Sequence, residues 1–267
     1  MTFKHIWVFN SKLNRWNKRT TTGDRPFANA HSRASIVNNL MYTFGGYSDE
    51  KYSNDVHQLD LVNLAWEKVD TAGLKPLERG EHVKWYTANS IIVFGGVGRG
   101  GLYLNDTFHL NINTLEWTQP STTGTPPTPR FASAHCQRAD RGYLFGEWGD
   151  MNRFNNHLYM LNFTSNEWTK FKPTGPIPCE RSGATLNTMR GEQFLCGGYD
   201  DSVLSDCWFF DIHKKVWRKM DNHHNFNARS EHTSCNIGES GDRLFVVLGG
   251  LNVNFHDIDS FGHLSFV

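Results

Sequence analysis

The sequence predicts an all-β protein, a β-propeller made of four-stranded antiparallel blades. Aromatic residues make up 13% of the chain and few segments have helical periodicity, a composition typical of β-proteins. A glycine pair follows a short apolar run at intervals of 50 to 52 residues, and a tryptophan recurs at nearly the same interval. A fixed period of about 50 residues is the sequence signature of repeated units such as propeller blades.

Three series of residues define the repeats. The first glycine of each pair stands at Gly45, Gly95, Gly146, Gly197 and Gly249. The tryptophans stand at Trp16, Trp66, Trp117, Trp168 and Trp217. The arginines stand at Arg79, Arg130, Arg181 and Arg229. Together they predict one domain over residues 1–267, with repeats at roughly 31–80, 81–131, 132–182 and 183–231 and partial repeats at 1–30 and 232–267. The partial repeats leave two arrangements open, five blades or an incomplete six-bladed ring.

The second repeat illustrates how each strand is predicted. ANSIIVFGG predicts a strand that runs into a glycine turn, TFHLNI an alternating strand, and EWTQP the outer strand. TTGTPPTPR predicts an irregular loop to the next repeat. The glycine pairs predict positive φ, or a neighbouring backbone too close for a Cβ atom. The tryptophans are expected to pack one sheet against the next, and GHLSFV near the C-terminus is expected to be a third strand.

Charge and hydropathy argue against two classes of partner. The formal net charge is zero, so no overall field draws the chain towards nucleic acid or an anionic membrane. Apolar runs such as LFVVLGGL are far shorter than the roughly 20 residues that span a bilayer. The N-terminal MTFKHIWVFN turns polar too soon for a secretory signal.

The cysteines indicate a reducing compartment. Five are present and no two form a CxxC pair: Cys136, Cys179, Cys196, Cys207 and Cys235. An odd number without such spacing predicts buried free thiols rather than a disulfide framework or a zinc site. We therefore expect the protein in the cytoplasm, the nucleus or both.

The repeated arginines are expected to be structural, because repeated positions serve repeated structure. We expect each to bond loop carbonyls and to pair with a neighbouring acid such as Glu78, Glu180 or Glu231. The loop after the second strand, by contrast, differs in every repeat, so its residues are candidates for binding. We place Arg99, Trp148, Arg153 and Tyr199 at the mouth of a pocket, where a guanidinium beside aromatic rings suits a carboxylate or an extended peptide.

The sequence contains none of the common catalytic or metal-binding motifs. There is no HExxH, no Gx(4)GK[ST] and no GxSxG. Four histidines lie near the starts of first strands, but their offsets differ and hydrogen bonding is the expected role: His31, His82, His135 and His232. His223–His224 lies in a predicted polar turn. We expect no catalytic residue, no metal and no cofactor.

The glycine pairs, tryptophans and four-strand units resemble the kelch repeat over essentially the whole chain. Kelch-type plant specifier proteins carry Glu, Asp and His at four-residue steps, and here Asp259 and His263 keep that step but Phe255 replaces the first ligand. The copper oxidases on seven-bladed kelch rings need a longer chain. A metal-dependent kelch enzyme or specifier protein is therefore a minor alternative.

The run TLEWTQPSTTGTPPTPRFASAHCQRADRGYLFG is similar to the middle blades of kelch domain-containing substrate receptors of cullin-RING ubiquitin ligases, which read client C-termini. IWVFNSKLNRWNKRTTTGDRP, PIPCERSGATL and LSDCWFFDIHKKVW look like the same relatives. The resemblance implies a carboxylate site of two arginines, a serine, a lysine and a tyrosine. The second arginine matches Arg153 and the serine Ser182, whereas Trp148, Glu81 and Val97 replace the first arginine, the lysine and the tyrosine.

In the third repeat, YLFGEWGDMNRFNN, Glu147 replaces the second glycine. We interpret Glu147–Trp148 as altered binding specificity. The leading hypothesis is a non-catalytic module that binds a protein or peptide, in particular a client C-terminus. A role with elongin and cullin adaptors would need a longer chain that carries the docking box. The alternative is a general scaffold for protein–protein interaction, without a ligase role, that binds through its rim.

Overall fold

The computed structural model describes residues 5–13, 15–27, 30–149, 153–220, 226–237, 243–254, 256–257 and 261–266. By internal contacts the chain divides into two compact units, residues 1–121 and 122–267. The longest helical segment among the described residues is the three-residue 3-10 turn η1 (Arg99–Gly101). None of the described helices therefore approaches the length needed to cross a membrane.

The first unit contains an antiparallel hairpin, two five-stranded sheets and a short hairpin. Its strands are β1 (His5–Asn10), β2 (Arg15–Thr20), β3 (Thr22–Gly23), β4 (Arg33–Val37), β5 (Leu40–Phe44), β6 (Tyr47–Ser48), β7 (Lys51–Tyr52), β8 (Val56–Asp60), β9 (Ala65–Val69), β10 (Ala72–Gly73), β11 (Val83–Tyr86), β12 (Ser90–Val97), β13 (Tyr103–Asn111) and β14 (Glu116–Thr118). β1 pairs with β2, and β6 with β7. The sheet orders are β3-β9-β8-β5-β4 and β10-β14-β13-β12-β11.

The second unit contains three further sheets. Its strands are β15 (Thr123–Gly124), β16 (Arg130–Phe131), β17 (Ala134–Arg138), β18 (Arg141–Gly149), β19 (Arg153–Asn162), β20 (Glu167–Lys170), β21 (Thr185–Met189), β22 (Glu192–Cys196), β23 (Cys207–Asp211), β24 (Val216–Lys219), β25 (Thr233–Ile237), β26 (Arg243–Leu248) and β27 (Phe261–Phe266). The orders are β15-β20-β19-β18-β16, with β17 also on β18, then β21-β22-β23-β24 and β25-β26-β27. β27 contains most of GHLSFV, so the predicted third strand is confirmed.

The glycine pairs behave as predicted. Gly45 has φ 65° and Gly46 φ 109°, a region that side chains with a Cβ atom rarely adopt. A Cβ atom on Gly45 would lie 2.5 Å from the carbonyl oxygen of Arg79. Gly197 is equally close to the carbonyl oxygen of Arg229. The pair therefore marks the point where the end of one second strand meets the start of the next repeat.

Four of the five repeated tryptophans are buried, and two of them contact an aromatic ring of the preceding sheet. The Trp117 ring lies 5.0 Å from that of Phe44 in the preceding sheet, and the Trp217 ring lies 5.2 Å from that of Phe145. Trp117 and Trp217 are 1% and 2% exposed, which confirms the predicted packing role. Trp16 differs: it is 40% exposed and contacts Phe9 of its own hairpin.

A short parallel strand that the sequence did not predict covers the outer edge of three sheets. β3, β10 and β15 each pair in parallel with the strand that carries the next repeat's tryptophan. Gly23, Gly73 and Gly124 end these strands with φ of 77° to 79°, and a Cβ atom there would collide with the tryptophan's carbonyl oxygen. Because an uncovered edge strand promotes aggregation, this segment protects each sheet.

One pair of cysteines corrects the expectation of free thiols. Cys196 and Cys207 lie opposite each other on β22 and β23, with 4.4 Å between their Cα atoms, and form a disulfide. Cys136, Cys179 and Cys235 are free. The residues of the pair are 11 positions apart, and strand register alone brings them together.

Candidate functional site

The repeated arginines form the buried polar centre of their repeats. Arg79 and Arg181 are fully buried, and each donates at 3.0 Å to the carbonyl oxygen of the first glycine of the next repeat's pair, Gly95 or Gly197. Each guanidinium also bonds both carboxylate oxygens of an aspartate, either Asp106 within β13 or Asp206 directly before β23. Bidentate pairs of this kind fix geometry as well as charge. The arginines are structural, as predicted.

The predicted acid partners of these arginines are wrong. Glu78, Glu180 and Glu231 were expected because they neighbour the arginines in sequence, but the carboxylates come from 25 or 27 residues away. Burial raises the pKa of Asp206, and bonds from Arg181 outweigh this effect and hold the pKa below its ordinary value. The aspartate is therefore ionised in the folded protein at neutral pH.

The third repeat lacks this aspartate and obtains its carboxylate from elsewhere. Phe94 pairs with Thr107, and Phe145 pairs with Leu158, so His157 occupies the position of Asp106. By residue type Asn155–Asn156 resembles Asn105–Asp106, but the strand register is offset from that match by one residue. Glu147, which replaces the second glycine, forms an ion pair with Arg130 at 2.5 Å.

The Arg130–Glu147 pair is buried, with side chains 1% and 4% exposed. Arg130 also donates to the carbonyl oxygen of Thr128 at 2.9 Å, and its guanidinium lies 4.9 Å from the Tyr159 ring centre. Burial lowers the pKa of Arg130, and the Glu147 carboxylate opposes this effect. Glu147, at the position of the second glycine, thus supplies the carboxylate that His157, at the position of the aspartate, does not.

This geometry revises the interpretation of Glu147–Trp148. Glu147 has a structural role, because its side chain is directed at Arg130 and its backbone N–H donates to the carbonyl oxygen of Arg181 at 2.9 Å. Gly46 and Gly198 make the same backbone bond in their repeats. Trp148, the next residue, is half-buried and remains a candidate for binding.

Trp148 belongs to a row of three aromatic side chains with Phe154 and Tyr199. The ring centre of Phe154 lies 4.6 Å from that of Trp148 and 5.8 Å from that of Tyr199, both edge to face. Tyr199 and Ser182 exchange two backbone hydrogen bonds, of 2.9 and 3.1 Å. Sequence reasoning missed Phe154. Its position next to Arg153, in a loop that varies between repeats, was the available signal.

Arg153 directly precedes Phe154 of this aromatic row in the sequence. It begins β19 opposite Gly149, next to Phe154, and its side chain is exposed. Within the part of the chain that the structure describes, no carboxylate forms an ion pair with it. We call Trp148, Arg153, Phe154, Ser182 and Tyr199 the Arg153 surface. The structure thus places four of the seven predicted site residues in one region of the second unit.

The other three predicted site residues belong to the first unit. Glu81 is half-buried, and its carboxylate lies 3.5 Å from Nδ1 of His31. Val97 is 8% exposed, and its backbone exchanges hydrogen bonds with Gly80. Arg99 is exposed in η1. Their roles in ligand binding stay predictions.

The histidines considered as metal ligands have local structural contacts. His82 and His232 pack against Gly45 and Gly197, the first glycines of the preceding repeats. His232 is also within 2.9 Å of the Thr185 hydroxyl, and His135 within 3.3 Å of the Ser133 carbonyl oxygen. Within the described ranges, no three His, Cys, Asp or Glu side chains come together as a metal site. His223–His224, Phe255 and Asp259 lie outside the described residues, and the side chain of His263 is not described.

Comparisons with known proteins agree with these observations. A family model described as the KLHDC2/KLHL20/DRC7 Kelch-repeats domain matches residues 1–88 and 66–250. Kelch domain-containing protein 2 of Bos taurus is 32% identical over 279 residues, which cover 92% of this chain and 67% of the relative. Kelch domain-containing protein 1 of Homo sapiens is 28% identical over 289 residues, which cover 97% of this chain and 70% of the relative.

A solved structure is also similar. The structure of YjhT superposes with a TM-score of 0.76, and the match covers 98% of this chain and 90% of that one. Sequence identity is 15%, so this likeness concerns the fold alone.

Proposed function

The chain belongs to the KLHDC2/KLHL20/DRC7 Kelch-repeats domain family and is a kelch β-propeller that serves as a protein-interaction module; from this premise we propose that its Arg153 surface binds an extended protein segment, in particular a client C-terminus. The observation that carries the proposal is the exposed side chain of Arg153, next in sequence to Phe154, whose ring belongs to a row of half-buried aromatic rings. In this proposal the module is non-catalytic.

The roles of the residues follow from their chemistry. Arg153 is a planar bidentate donor for a terminal carboxylate or a backbone carbonyl. Trp148, Phe154 and Tyr199 offer apolar area for the residues that precede the terminus. Ser182 donates a hydrogen bond from its hydroxyl group. Because the charge of Glu147 is buried against Arg130, it does not oppose an anionic group at Arg153.

A screen of peptides with free and amidated C-termini tests the proposal. We expect hits that need the free carboxylate and that lose at least tenfold in affinity with Arg153→Ala. The matched control is Arg141→Ala, which removes the same charge from the opposite end of the β18–β19 ladder. Hits that ignore amidation, or that weaken equally with both variants, would contradict the assignment.

A role in ubiquitin transfer rests on the resemblance to ligase substrate receptors. It also requires the helices that dock elongin and cullin adaptors. Co-purification of these adaptors with the full-length chain tests this part separately. If peptide binding survives and adaptors are absent, the module acts as a scaffold without a ligase role.

A further inference from the structure

The first full repeat has the carboxylate of an arginine–aspartate pair, but the segment that precedes this repeat has no arginine at the matching position. Phe44 pairs with Val56, which places Asp55 at the position of Asp106 and Asp206. Ala30 pairs with Tyr47 as Gly80 pairs with Val97. Arginine directly precedes Gly80 in the sequence, whereas asparagine directly precedes Ala30.

An open cavity of about 310 Å³ lies beside Asp55. Its lining includes Asp55, His57 and Phe27, together with Ser53 and Tyr52. These residues include the equivalents of the groups that surround the arginine in the second repeat.

The contacts of Arg79 show what this environment binds. Arg79 bonds both oxygens of Asp106, its guanidinium lies 5.7 Å from the Phe108 ring centre, and its Nε donates to the Leu77 carbonyl oxygen at 2.9 Å. By register, Asp55 corresponds to Asp106, His57 to Phe108 and Phe27 to Leu77. Burial lowers the pKa of His57, so its ring is neutral at pH 7 and can face a cation.

Lys68, whose Nζ lies 3.0 Å from Asp55 Oδ1, is the resident cation. Its side chain is 45% exposed, and an exposed pair of this kind contributes little to stability. Lys219 occupies the same position in the fourth repeat, where it lies 5.7 Å from the Trp208 ring centre while Arg181 pairs with Asp206. A lysine at this position therefore coexists with a bound guanidinium.

We propose that the Asp55 cavity binds a guanidinium group supplied from outside the chain, as the side chain of an arginine in a partner protein or as a free guanidino compound. Asp55 accepts two parallel N–H bonds, as Asp106 and Asp206 do, and His57 lies against the face of the group. The opposite charges of Lys51 and Asp49, which also line the cavity, offset each other, so Asp55 is the carboxylate that pairs with the guanidinium.

NMR titration of the whole chain tests this proposal with three small probes: N-acetyl-arginine amide, its citrulline analogue and N-acetyl-lysine amide. We expect the arginine probe alone to shift the signals of β8 saturably. Asp55→Asn should weaken its binding at least tenfold, and Asp70→Asn, an exposed change of the same charge beside Lys68, should not. Equal binding of citrulline, or full binding to Asp55→Asn, would overturn the proposal.

A second variant keeps the test valid if Asp55→Asn is poorly folded. Lys68→Gln removes the resident cation from an exposed position, so it should tighten binding of the arginine probe. Unchanged probe binding to Lys68→Gln would show that the probe does not contact the Asp55 carboxylate. A peptide with one internal arginine then identifies the source: tighter binding than the small probe assigns a partner protein, and equal binding assigns a free guanidino compound.

Discussion

Replacement of Glu147 by glutamine tests the compensation between Glu147 and His157. The variant keeps the size of the side chain but leaves the Arg130 charge buried without a counter-charge. Breaking a buried ion pair in this way costs about 3–5 kcal/mol. At roughly 2–4 °C per kcal/mol for a domain of this size, the melting temperature should fall by roughly 6 to 20 °C.

The assay is thermal unfolding followed by circular dichroism, with two companion variants. Glu192→Gln removes the half-buried partner of the exposed Arg218 and should cost less than about 1 kcal/mol. The double variant Glu147→Gly/His157→Asp restores the arrangement of the second and fourth repeats, and should recover at least half of the loss. If Glu147→Gln melts within about 2 °C of the wild type, or if the double variant recovers none of the loss, the compensation between the two positions is refuted.

Two further predictions concern stability. Gly198→Ala places a Cβ atom 2.8 Å from the Ser182 carbonyl oxygen at φ 109°, so it should open the Ser182–Tyr199 bridge and cost about 1–3 kcal/mol in a denaturant titration. A loss below about 0.5 kcal/mol would contradict this. Burial, followed by the charge of Arg229, lowers the pKa of His232 to about 3, so the folded state binds fewer protons than the unfolded state between about pH 3 and 6.5. Stability should therefore be full above pH 6.5 and fall by up to about 1.4 kcal/mol per unit below it; His232→Gln should flatten this slope, and an unchanged slope would show that other groups cause it.

The fold could be predicted because its determinants repeat. The glycine pairs have positive φ, which other residues rarely adopt, and the buried tryptophans fill space that smaller side chains would leave empty. The same residue types therefore recur in each repeat and are visible in the sequence. The parallel strands β3, β10 and β15 were missed for a different reason. Each is only two residues long, which is too short to show the alternation of apolar and polar residues that predicts a strand.

The candidate site was only partly predictable, because strand register decides it. Reading Asn155–Asn156 as the equivalent of Asn105–Asp106 concealed that His157 replaces an aspartate. Glu147 was interpreted as a binding residue because it lies in the loop that the family resemblance assigns to binding, whereas it is the counter-charge of Arg130. The Cys196–Cys207 disulfide was missed for the same reason, since only the ladder places the two residues opposite each other.

The central claim is that Arg153 holds the terminal carboxylate of a bound protein segment. Its most direct test is a thermodynamic cycle by calorimetry, in which wild type and Arg153→Ala each bind one peptide as the free acid and as the amide. A charged hydrogen bond predicts a coupling energy of about 1.5–3 kcal/mol between the two changes. A coupling energy near zero would show that the carboxylate, if it is bound at all, is bound elsewhere.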